Sequence, residues 1–168
     1  MSSDNASHPA GPEADELVPS RYALRVGDFA AVTRARLAVI AANATLRNAA
    51  VALSGPQIGL VIVCEENGTV AGVVSKSDLV RHLMLDGMPD APVGAQMSRD
   101  IVSCRPEDGL YSTWKVMAAG GLQNIPVLST DSKPLGVLDI RDAMKGLFEQ
   151  EEYQERLLFD YVAGVGYR

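Results

Sequence analysis

The chain has 168 residues, 47% of them hydrophobic, and a formal net charge of −6. That size supports one compact domain or two small ones sharing a core, and without a clustered Lys/Arg run it offers no groove for nucleic-acid phosphates. No window holds the roughly 18 consecutive apolar residues of a membrane-spanning helix, and Met1–Val18 lacks the apolar segment of a secretory signal, so a cytoplasmic protein is expected.

In chain order, residues 1–20 are rich in Ser, Pro, Gly and acidic side chains and are expected to be a disordered tail. A first unit is expected over 21–86. It comprises a β-prone lead-in at Leu37–Ile40, a helix over Thr45–Leu53, strands Leu60–Cys64 and Val70–Val74 around the Asn67-Gly68 turn, and a helix over Ser77–Leu85. Residues 87–95, with two prolines, read as a linker. A second unit over 96–147 repeats the order. Asp100–Cys104 is its lead-in, and Leu110, Trp114, Met117 and Ala118 mark an amphipathic helix ended by Ala119-Gly120-Gly121. Asn124–Leu128 and Leu135–Leu138 are strands, and Ile140–Glu149 is a helix. Beyond it, over 148–168, the apolar stripe begun at Leu147 continues with Tyr153, Leu157, Leu158 and Tyr161 at helical spacing, with glutamates opposite. The reading is a C-terminal helix, stopped by Gly164 and Gly166, that docks on the module, a twin or a partner.

The two units are copies. GVVSKSDLV begins at Gly72 and GVLDIRDAM at Gly136, 64 residues later, and the same ungapped shift superposes Leu46 on Leu110, Val63 on Val127 and Asp78 on Asp142. The fold expected is α+β: two βαββα repeats, each too small to bury its sheet alone, packed into one pseudo-two-fold module with a C-terminal helix.

The repeated strand-to-helix junction admits two readings. Ser75-Lys76-Ser77-Asp78 fits a capping box, and Asp139 and Asp142 suit the start of a helix equally well. The same geometry suits a ligand. A helix start offers N–H groups to an anion, and an ionised Asp accepts hydrogen bonds from a vicinal diol such as a ribose. The pattern fits both.

These motifs resemble a tandem pair of CBS domains, a Bateman module of the stand-alone bacterial type. GVVSKSDLV, QMSRDIVSCRPEDGL, NIPVL and GVLDIRDAM carry the resemblance, which covers about Thr33–Leu147. It implies a non-catalytic regulatory module, homodimeric, that binds an adenosyl compound (AMP, ADP, ATP or S-adenosylmethionine) and acts on an unidentified protein target. The rival reading is a constitutive dimerisation or adaptor protein with vestigial pockets. Carried onto this chain, the favoured pocket would comprise Val61, Val73, Ser75, Lys76, Asp78, Met97, Asp100 and Ile101. The other would comprise Thr33, Leu37, Ile125, Pro126, Asp139 and Asp142. Asp139 stands where the family most often has Ser or Thr, and its carboxylate would repel a phosphate, so the first pocket is expected to be the working one.

Other motifs carry no chemistry. Cys64 and Cys104 lie in apolar runs and read as buried reduced thiols. With only His8 and His82 besides, no metal-ligand spacing is assembled, no cofactor is implied, and no nucleophile sits beside a base. Nor is there a P-loop.

Overall fold

The computed structural model describes residues 23–165; the tail expected over 1–20 and the Gly166 helix stop lie outside the described residues. A short 3-10 turn, Val26–Phe29, leads into α1 (Ala30–Ala35), β1 (Val39–Ala41), α2 (Leu46–Leu53), β2 (Leu60–Cys64), β3 (Val70–Ser75) and α3 (Lys76–Met84). A second turn, Val93–Ala95, precedes α4 (Leu110–Ala119), β4 (Asn124–Leu128), β5 (Pro134–Asp139) and α5 (Ile140–Val165). The chain is α+β with two repeats, as its sequence implies. None of the described helices is long and apolar enough to cross a membrane.

Helix α2 starts at Thr45 because Thr45 and Asn48 cap each other: the Asn48 N–H donates to Thr45 Oγ1, and the Thr45 N–H to Asn48 Oδ1. All five residues of β2 are buried, so this strand has no solvent face. One side (Val61, Val63) joins Val74, Leu46, Ala49 and Leu53 in the core of the first repeat. The other (Leu60, Ile62, Cys64) meets Val137 and Val73 in a cluster between the two sheets. A third cluster, around Leu110, Met117, Ile125 and Leu138, fills the second repeat.

The sheets differ in one respect. In the first repeat β1 runs parallel to β2, with the Ile62 N–H donating to the Ala38 carbonyl, and β2 pairs antiparallel with β3. In the second, β4 and β5 form the antiparallel pair, but the lead-in expected over Asp100–Cys104 makes only a bridge from Cys104 to Val127. Pro126 takes the place of Ile62 under the 64-residue shift. It has no N–H to give, so the ladder cannot extend back to Val102.

The segments leading into each repeat are exchanged. Val26 lies in the core of the second repeat, and the N–H groups of Val26 and Gly27 donate to the Asp108 and Pro106 carbonyls. Val93 and Met97 lie in the core of the first, and Ser98 and Val73 exchange backbone hydrogen bonds. Residues 24–35, read with the first unit from sequence, therefore lie on the second. This crossing explains the two matched glycines. A Cβ on Gly72 would stand 2.5 Å from Met97 Sδ and 2.9 Å from the Ser98 carbonyl, and one on Gly136 would stand 2.7–2.8 Å from Thr33.

Helix α5 corrects the sequence reading of two separate elements, one ending at Glu149. It runs unbroken from Ile140 to Val165, and Gly164 does not stop it. The junction Glu149–Gln154 is, apart from Tyr153, made of strong helix formers and holds no proline or glycine, so nothing ends the first helix.

Candidate functional site

Between the repeats lies a cleft of about 540 Å³ whose walls come from both copies. The first repeat contributes Gly59, Leu60 and the β3–α3 junction; the second contributes Ser98–Val102 without Arg99, Gly121–Pro126, Asp139 and Arg141. Arg36, which follows α1, completes the wall.

Of the favoured pocket, Val73, Ser75, Lys76, Asp78, Asp100 and Ile101 line this cleft. Val61 and Met97 do not. Val61 faces the helices on the far side of the sheet, and Met97 is held under Gly72; both belong to the core of the first repeat. Of the other pocket, Ile125, Pro126 and Asp139 line the same cleft, so the structure merges two expected pockets into one space. Thr33 is buried against Gly136, Leu37 packs on the inter-sheet cluster, and Asp142 lies behind Arg36.

At the first junction the capping box is complete. The Ser75 N–H and hydroxyl both donate to Asp78 Oδ2 at 2.8 Å, and the Asp78 N–H donates back to Ser75 Oγ at 3.3 Å. Asp78 Oδ1 meets Arg81, at 3.4 Å, on a side chain 71% exposed. That oxygen keeps acceptor capacity, and Asp78 is among the residues lining the cleft.

The second junction is neutralised from within. Arg36 grips Asp142 as a fork, Nε donating to Oδ2 at 2.6 Å and Nη2 to Oδ1 at 3.2 Å, while its Nη1 donates to the Gln57 carbonyl at 3.0 Å. The hydrogen bond to Asp142 raises the Arg36 guanidinium above its ordinary value. Asp139 is 2% exposed. Its carboxylate accepts from the Arg141 side chain at 2.7 and 3.0 Å and from the Arg141 N–H at 2.8 Å. Burial opposes its ionisation, but the hydrogen bonds and charge of Arg141, with the charge of Arg36, outweigh burial and hold it below the ordinary carboxylate range.

Sequence reasoning missed Arg36 and Asn124. The resemblance pointed to the first lead-in and named Thr33 and Leu37, but the residue reaching the cleft is Arg36, one step before Leu37 in the chain. The signal was present: the 64-residue shift sets Arg36 opposite Asp100, a charge reversal beside Leu37 and Ile101, which match in apolar type. Asn124, at the cleft beside Gly59, has a buried Oδ1 without a hydrogen-bond partner. No cluster of three metal-ligating side chains occurs among the described residues. Cys64 and Cys104 are buried free thiols, and burial first, then Asp108, pushes Cys104 up to about 12.

Comparison with known proteins agrees with this architecture. The family model "CBS domain" matches residues 26–85 and 93–149. Arabinose 5-phosphate isomerase GutQ of Salmonella typhi is 28% identical over 137 residues, which is 81% of this chain but 40% of the isomerase. CBS domain protein PAE2072 from Pyrobaculum aerophilum, solved complexed with AMP, superposes with a TM-score of 0.64 at 20% identity, covering 71% of this chain and 89% of that one. The CBS domain pair of protein MJ0100, solved with 5'-methylthioadenosine and S-adenosyl-L-methionine, gives 0.65 at 16% identity over 76% of this chain and 98% of that one.

Proposed function

This chain belongs to the CBS domain family, and on that premise we propose that it is a non-catalytic regulatory module whose inter-repeat cleft binds an adenosyl ligand, from among AMP, ADP, ATP and S-adenosylmethionine. The observation that carries the reading is the first junction. Asp78 lines the cleft with one carboxylate oxygen uncommitted to its own cap, and Val73, Ile101 and Pro126 give the same cleft an apolar lining suited to a flat base. The adenosyl compounds held by PAE2072 and by MJ0100 support the ligand class.

A ligand shifts such a module only by binding one conformer better than another. Because the cleft walls belong to both repeats, a bound adenosyl group would fix the angle between them, and α5, which begins at the cleft and continues through Val165, would carry the change outward. A cytoplasmic homodimer is part of the same proposal. Val80 and Met84 on α3 and their shift equivalents Met144 and Phe148 on α5 are exposed, giving both repeats a matching apolar face. One observation favours the rival reading of a constitutive dimerisation or adaptor protein: the Ser75–Asp78 cap is complete without any ligand.

Isothermal titration with adenosine, AMP, ATP and S-adenosylmethionine separates the two. Micromolar binding that disappears in Asp78→Ala is expected of the sensor. Absence of heat with every compound, while the wild-type protein unfolds cooperatively, would leave the adaptor reading in its place.

A further inference from the structure

One pseudo-symmetric position carries opposite charges in the two halves of the cleft. In the first half Asp100 and Asp78 both line the wall, and two carboxylates cannot pair. In the second half its shift equivalent is Arg36, whose guanidinium sits on Asp142, the equivalent of Asp78, in a two-point grip. A vicinal diol would need those same carboxylate oxygens as acceptors. The side chains of Arg36 and Asp142 are 17% and 20% exposed, so solvent and salt screen the pair only in part. Arg36 is further anchored through the Gln57 carbonyl of the first repeat and lies 3.8 Å from Asp139.

We propose that Arg36 is a tethered occupant of the Asp142 half of the cleft, so that each chain takes one adenosyl ligand, at the Asp78 half. This rests on the reading of the cleft as an adenosyl site. Arg36 is the residue that sets the stoichiometry, and its removal exposes a second diol-binding carboxylate.

The test is titration of adenosine, a probe without phosphate that Asp139 does not repel, into four proteins: wild type, Asp78→Ala, Arg36→Gln and the double variant. Each is first checked for cooperative thermal unfolding, and Arg36→Met replaces Arg36→Gln if the latter does not fold. Expected are one site per chain in the wild type, at least tenfold weaker binding in Asp78→Ala, a second site in Arg36→Gln, and one restored site in the double variant. Two sites in the wild type overturn the inference while leaving the adenosyl reading intact, as does a silent double variant beside a wild type that binds. Silence from all four proteins overturns the adenosyl reading and the inference together.

Discussion

The two β–α junctions descend from one pattern yet do opposite things with their aspartates. At the first, Ser75 and Asp78 form a cap and leave a carboxylate oxygen on the cleft. At the second, Asp139 and Asp142 are consumed by Arg141 and Arg36. Both strands run directly into their helices; the difference lies in the charges that meet the aspartates, Arg36 from the crossing lead-in at Asp142 and Arg141 from α5 itself at Asp139. A repeat can therefore keep its geometry while a single position in the exchanged segment decides whether the junction meets solvent or a side chain of its own chain.

The largest effect expected concerns the crossing itself. Gly136→Ala places a methyl against the Thr33 backbone and β-carbon, which cannot move aside, whereas Gly72→Ala meets the flexible Met97 side chain first and the Ser98 carbonyl only at 2.9 Å. Overpacking of this kind typically costs about 1–3 kcal/mol, and urea unfolding should place Gly136→Ala near the upper end and Gly72→Ala near the lower. Equal losses would mean that the two crossings are equally tight.

The ion pairs should separate next. Arg36→Ala leaves a mostly buried carboxylate unpaired and is expected to cost about 2 kcal/mol, below the full buried-pair penalty because both groups retain some solvent. Arg81→Ala, which removes the exposed partner of Asp78, should cost under about 0.5 kcal/mol. Thermal or urea unfolding of both variants checks the contrast.

A smaller effect is expected on ligand charge. Once Arg36 and Arg141 are committed to Asp142 and Asp139, the remaining charged groups on the cleft wall are Lys76, Asp78 and Asp100, an excess of one negative charge. ATP should therefore bind about tenfold more weakly than adenosine, or roughly 1.4 kcal/mol, and raised salt should narrow the gap. Competition titration would show it, and tighter binding of ATP would place a phosphate on a cation now assigned to a carboxylate.

The smallest expected effect is on acid stability. Asp139 has its folded value below the ordinary carboxylate value of about 3.9, so its stabilising contribution is fully present above that pH and is lost as pH falls through the folded value. Asp139→Asn should flatten the loss of stability below pH about 4, followed by urea unfolding across that range. An unchanged profile would mean that other carboxylates govern acid unfolding.

Much of the fold was legible in the sequence because its signals were local. Both β-hairpins, α2, α3 and α4 follow from turn residues, apolar spacing and caps, and the 64-residue repeat gave their order. What escaped depended on distance. No periodicity marks α1, which is short and folds against the second repeat through Gly136. The lost strand of the second lead-in depends on a missing N–H at Pro126, a residue in another strand. Of the candidate site, the junction motifs were legible, and Ser75, Asp78, Asp100 and Ile101 line one cleft. Arg36 escaped because its role arises from crossing the module to meet Asp142, 106 residues away.

The most direct measurement is a crystal structure of the protein grown with saturating AMP. The expected result is one AMP per chain, its ribose hydroxyls on Asp78 and its base against Ile101 and Pro126, with the Arg36–Asp142 fork intact. A ribose on Asp142, with Arg36 swung out of the cleft, would contradict the division of labour between the two junctions.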